Sequence, residues 1–153
     1  MNKTISKTLV AVSAALMISS VAVADEQKFG VGVSVNQNTT TIRGTVNLDK
    51  TMRLEPFLGF TYDNANNNSN TTLEIGTAFH LLQSINSNMN AYYGGYVGYI
   101  DRVNSGLALG PVAGVEYALD PQFTLGAEVR VDFGFGDVTN IGTNSEVILR
   151  YYF

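Results

Sequence analysis

The stretch Phe123-Thr124-Leu125-Gly126-Ala127-Glu128-Val129-Arg130-Val131-Asp132-Phe133 alternates without a break. Phe123, Leu125, Ala127, Val129, Val131 and Phe133 hold one set of positions; Thr124, Gly126, Glu128, Arg130 and Asp132 hold the other. Successive side chains of an extended chain point to opposite faces, so this period of two predicts a strand with one apolar and one charged face.

The same period recurs in both directions. Thr40, Ile42, Gly44, Val46 and Leu48 alternate with Thr41, Arg43, Thr45 and Asn47, and Leu73, Ile75, Thr77, Phe79 and Leu81 with Thr72, Glu74, Gly76, Ala78 and His80. At the end of the chain Val147, Leu149, Tyr151 and Phe153 are set against Glu146, Ile148, Arg150 and Tyr152. Noisier alternation near 27–35, 52–62, 89–100 and 107–119 brings the predicted strands to eight. Polar stretches rich in Asn or Gly separate them at 36–39, 63–71, 101–106 and 134–143. Compact turns are expected at Asp49-Lys50, at 83–88 and at Asp120-Pro121-Gln122, where turn-forming residues concentrate.

The position of charge says what the two faces meet. Of 153 residues only 14% are charged, against about 25% in an ordinary soluble domain. Glu55, Glu74, Glu116, Glu128 and Glu146 fall on the polar faces of predicted strands, as do Arg43, Arg53, Arg130 and Arg150. Lysine, the usual coat of a water-facing strand, is absent from mid-strand positions. Arginine matched with glutamate points to a confined interior, where a planar cation with several donors is favoured. Glycines 59, 76, 94, 98, 110, 114 and 126 share that face and leave room in a narrow bore. Outward aromatics gather toward the two strand ends, Phe60, Tyr62, Tyr99 and Phe133 at one and Phe29, Phe79, Tyr117, Phe123, Tyr151 and Phe153 at the other. Amphipathic rings prefer such positions at the two surfaces of a membrane. The fold expected is all-β: an eight-stranded antiparallel up-and-down transmembrane β-barrel with a polar, charge-paired interior. Strands of nine or ten residues suffice for this.

Residues 1–24 read as an address. Lys3 and Lys7 precede the apolar run Leu9 to Ile18, and Ala22 and Ala24 supply the small residues of a signal-peptide cleavage site. Cleavage after Ala24 leaves 129 residues, 153 less 24, and removing the two lysines takes the net charge from −4 to −6. Residues 25–153 are then a single barrel domain. The acidic balance argues against nucleic acid as a partner. With no cysteine, disulfides, thiolate metal sites and cysteine nucleophiles are excluded.

The terminal segment Val147-Ile148-Leu149-Arg150-Tyr151-Tyr152-Phe153, apolar or aromatic at Val147, Leu149, Tyr151 and Phe153, resembles the assembly signal of Gram-negative outer-membrane barrels. The chain as a whole is similar to the small eight-stranded barrels of the OmpA/OmpX type, although it lacks the tryptophan common in their girdles. The resemblance implies residence in the outer membrane of a Gram-negative bacterium, with both mature termini in the periplasm. It also implies contact with outer-membrane lipid and lipopolysaccharide, and biogenesis through periplasmic chaperones and the barrel assembly machinery. The expected state is a monomer.

The candidate site is the charged interior: Arg43, Arg53, Glu55, Glu74, Glu116, Glu128, Arg130, Asp132, Glu146 and Arg150. Folding at Asp49 brings Arg43 beside Glu55. The last hairpin is expected to set Glu128 opposite Arg150, or Arg130 beside Glu146. Such pairs close the bore without exposing charge to lipid; exchange among them would instead make a narrow channel for ions or small solutes. A lipid-modifying enzyme is the third reading. It needs a histidine with a serine or acidic partner, and His80 stands in the text Phe79-His80-Leu81-Leu82 with no such neighbour. Asp120 and Asp137 alone make no metal site. No catalytic residue, metal or cofactor is therefore expected.

Overall fold

The computed structural model describes residues 29–36, 39–63, 70–101, 105–136 and 139–153. The expected signal peptide, with Ala22 and Ala24, lies outside them. Every regular element described is a strand: β1 (Phe29–Val35), β2 (Thr39–Asn47), β3 (Met52–Asp63), β4 (Asn70–Asn86), β5 (Met89–Asp101), β6 (Gly106–Ala118), β7 (Phe123–Gly136) and β8 (Asn140–Tyr152). Each pairs antiparallel with its neighbours in chain order. β1 returns to β8 from Gly30↔Tyr152 to Val35↔Val147, so the barrel is closed. Closure joins the first strand to the last, so the sheet has no free edge strand, the liability of any open sheet.

Alternation places the faces as the sequence predicts. On β2 Arg43 and Thr45 are buried while Ile42 is 54% exposed, and on β7 Glu128 and Arg130 are buried while Val129 is 53% exposed. Exposed outward aromatics lie toward both ends: Phe60, Tyr99 and Phe135 at one, and Phe79, Tyr93, Tyr117, Phe123 and Phe153 at the other. At the second end Phe123, Tyr151 and Phe153 form a chain of ring contacts, with centroids 4.8 and 5.3 Å apart.

The strands depart from the expected nine or ten residues. They run from 7 residues in β1 to 17 in β4. Residues 83–86, expected in a turn, continue β4 and pair with β5 through an irregularity between Ser84 and Asn86. The polar stretch 134–143 likewise contributes its ends to β7 and β8, where Gly134 pairs with Asn140. Ladder hydrogen bonds satisfy the backbone of polar residues as well as that of apolar ones, so polar composition alone does not end a strand.

Two turns share one design. The Asp49 side chain accepts the backbone N–H groups of Thr51 and Met52 at 2.6 and 2.9 Å, while that of Asp120 accepts those of Gln122 and Phe123 at 2.7 and 2.8 Å. The Leu48 and Leu119 N–H groups close the corresponding loops onto the Met52 and Phe123 carbonyls. These are Asx turns, in which the carboxylate mimics a backbone acceptor.

Candidate functional site

The interior is packed by long polar side chains with aromatic rings among them. Arg43 comes from β2, Arg53 and Glu55 from β3, Glu116 from β6, Glu128 from β7, and Glu146 and Arg150 from β8; all are buried. Glu55 is their hub. Arg150 grips it with Nε on one oxygen at 2.6 Å and Nη2 on the other at 3.2 Å. Arg43 donates to it at 3.2 Å and the Thr45 hydroxyl at 3.3 Å. The carboxylate thus accepts four hydrogen bonds, about its full capacity.

From Glu55 the network spreads around the bore. Arg150 Nη1 and Arg53 Nη1 meet at Glu116 Oε2, at 3.3 and 2.7 Å, and Arg53 also reaches the Tyr152 hydroxyl at 3.0 Å. Arg43 Nη2 joins Glu128 at 3.1 Å and Glu146 as well, while its Nε donates to Ser34 at 3.2 Å. A second group stands apart: Arg130 holds Glu74 with Nη2 at 2.9 Å and Asp132 with Nε at 3.1 Å. All ten predicted residues enter one group or the other.

The partners within the last hairpin are different from those expected. Glu128 lies directly opposite Glu146, Arg130 opposite Asn144, and Thr124 opposite Arg150. The two glutamates share Arg43 from β2, and Arg150 reaches Glu55 and Glu116 instead. Bonds across the lumen replace bonds along the hairpin because long side chains in a narrow closed bore meet from all sides. Arg43 does meet Glu55, diagonally, since its own register partner is Phe57.

The lumen also holds residues that sequence reasoning overlooked. Tyr92, Tyr96, Phe57 and Val112 are buried inside. Arg130 lies 4.8 Å from the Tyr96 ring centroid and 5.8 Å from that of Phe57; Arg53 and Arg150 lie 5.1 and 5.5 Å from that of Tyr92. Guanidinium groups over ring faces gain attraction where water is excluded. Two glycines make room for these rings. A Cβ on Gly114 would stand 2.4 Å from Tyr92 Cζ, and one on Gly76 would stand 2.6 Å from Phe57 Cζ. Glycines on the polar face were the available signal, and at Gly76 and Gly114 they mark the places where a large ring lies close.

His80 is fully buried in the hub. Its Nδ1 is 3.9 Å from Glu55 Oε2, its Nε2 is 3.6 Å from Glu128 Oε2, and its ring centroid is 4.7 Å from that of Tyr92. One ligand atom from each of Glu55, His80 and Glu128 falls within 4.8 Å of the others. These three are 25 to 73 residues apart in sequence, beyond the reach of any local motif.

Among solved structures, the barrel is similar to the crystal structure of Neisserial surface protein A. The TM-score is 0.63 at 15% identity, over 82% of this chain and 93% of that one. A de novo designed transmembrane β-barrel gives 0.52 at 16% identity, covering 85% of this chain and 98% of the design. The Yersinia pestis outer-membrane protein Ail in a phospholipid bilayer nanodisc gives 0.50 at 12% identity, covering 82% and 97%. No family model matches the chain, and no curated protein does. What is shared is the fold, that of small eight-stranded outer-membrane barrels.

Proposed function

We propose that this chain is a non-enzymatic integral protein of the Gram-negative outer membrane that contributes to envelope structure. Its lumen is closed by the arginine–glutamate network. The observation that carries this reading is the inversion of faces: Arg43, Arg53, Glu55 and Arg150 are at most 1% exposed, while Val33, Val129, Val147 and Leu149 are about half exposed. An apolar exterior needs lipid, and bonded guanidinium and carboxylate groups fill the bore. Contact with lipopolysaccharide, assembly through chaperones and the barrel machinery, periplasmic termini and a monomeric state belong to the same proposal.

A narrow cation channel is the second reading, favoured by one observation. Among the described residues the lumen sets six carboxylates against four guanidinium groups, and a negative interior attracts cations. Catalysis on lipid fits less well. His80, the only histidine, is sealed from both lipid and the surface.

The deciding experiment is conductance in planar bilayers. The folded wild type is expected to give no stepwise current, and Arg43→Ala, which releases Glu128 and Glu146 together, is expected to open one. Stepwise cation current through the wild type would replace the plug with the channel.

A further inference from the structure

We propose that His80 and Glu128, with Glu55 behind them, form a binding site for one divalent transition-metal cation of the zinc class. Three independent features converge there. The first is hydrogen bonding: both ring nitrogens of His80 and Oε2 of Glu128 are buried without a hydrogen-bond partner among the described residues. Buried polar atoms are normally paired, and the neighbouring carboxylate of Glu55 has four partners.

The second is geometry. Ligands about 2.0–2.1 Å from a tetrahedral zinc stand roughly 3.4 Å from each other; His80 Nε2 and Glu128 Oε2 are 3.6 Å apart. On the other side of the ring, Glu55 Oε2 faces Nδ1 at 3.9 Å. A metal-bound histidine commonly gives its second ring N–H to a carboxylate, which fixes the tautomer and leaves the opposite lone pair for the ion. Nε2 with Glu128 Oε2 are the ligands, and Glu55 acts as a positioning residue only once the ring closes the 3.9 Å gap to it on binding.

The third is charge. Among the described residues, the hub's Glu55, Glu116, Glu128 and Glu146 are paired with Arg43, Arg53 and Arg150, and a cation supplies what they lack. Side-chain exposure falls from 23% at Asp132 through 10% at Glu74 and 5% at Glu146 to 1% at Glu128. Glu128, the ligand carboxylate, is thus the most buried of these four. A mixed imidazole and carboxylate donor set favours zinc, nickel or copper over magnesium or calcium.

The test is Zn2+ titration by calorimetry of the barrel folded in detergent micelles and stripped with chelator. One Zn2+ per chain is expected, weakened tenfold or more in His80→Gln and in Glu128→Gln. Glu55→Gln should lose about 10–100-fold, the usual effect of a lost positioning carboxylate. Heat-modifiable gel migration identifies folded variants, and His80→Asn serves should His80→Gln fail to fold. Absence of Zn2+ uptake by the folded wild type overturns the site, as does undiminished uptake by a folded His80 variant. Neither result depends on whether the lumen conducts.

Discussion

Arg150 shows how much of the interior rests on single side chains. Its guanidinium bonds both oxygens of Glu55 and one of Glu116, and its side chain is fully buried. Removing one member of a buried ion network strands its mates and costs about 3–5 kcal/mol. Arg150→Met should lower the stability of the barrel by that amount in urea titrations followed by circular dichroism. A loss below about 1 kcal/mol, typical of exposed pairs, would mean that the network is hydrated. Gly114 makes a steric prediction: a methyl group there meets Tyr92, so Gly114→Ala should cost about 1–3 kcal/mol, and Tyr92→Phe in the same chain should recover little, because Cζ obstructs as well as the hydroxyl. That Arg150 and Gly114 point inward was legible from alternation alone. Their partners were not, because a pairing across the lumen depends on the relative stagger of all eight strands, and alternation fixes only the face.

At the scale of the element, the turns were the more legible part. Asp49-Lys50 and Asp120-Pro121-Gln122 stand out in the text, and each aspartate accepts two backbone N–H groups in the structure. The Thr51 backbone and hydroxyl hydrogen bonds hold the exposed Asp49 carboxyl below its ordinary pKa. A carboxyl whose folded-state pKa is depressed adds stability above its unfolded value and loses it as the pH falls through the folded one. Asp49→Ala should therefore be less stable than wild type at neutral pH, and the difference should vanish in acid below the ordinary aspartate range. Equal stability at neutral pH would remove the turn from the account. Strand ends were harder to read: residues 83–86 carry turn-like polarity yet extend β4, because β5 offers a continuous partner as far as Met89.

For the whole molecule, the question is which solvent meets the outer face, and the closed backbone cannot answer it, because soluble and membrane barrels close alike. Val129 supplies the test. It sits near the middle of β7, pairs with Ala113 and Ser145, and points outward at 53% exposure. Facing water, Val129→Arg would change stability by no more than about 0.5 kcal/mol, as surface substitutions generally do. Facing hydrocarbon near the midplane, the same change costs about 2–4 kcal/mol. An arginine near the strand end, at Leu119, should cost at most about 1 kcal/mol, since the penalty falls toward the interface. Urea titration of the three proteins folded into phospholipid vesicles separates the cases, with the expected order wild type, then Leu119→Arg, then Val129→Arg. Two indistinguishable variants would mean that no hydrocarbon layer surrounds β7. A depth-dependent cost would explain why the chain holds so few charges: its outer face has no water to meet, and its charged strand residues have already been spent on the inner one.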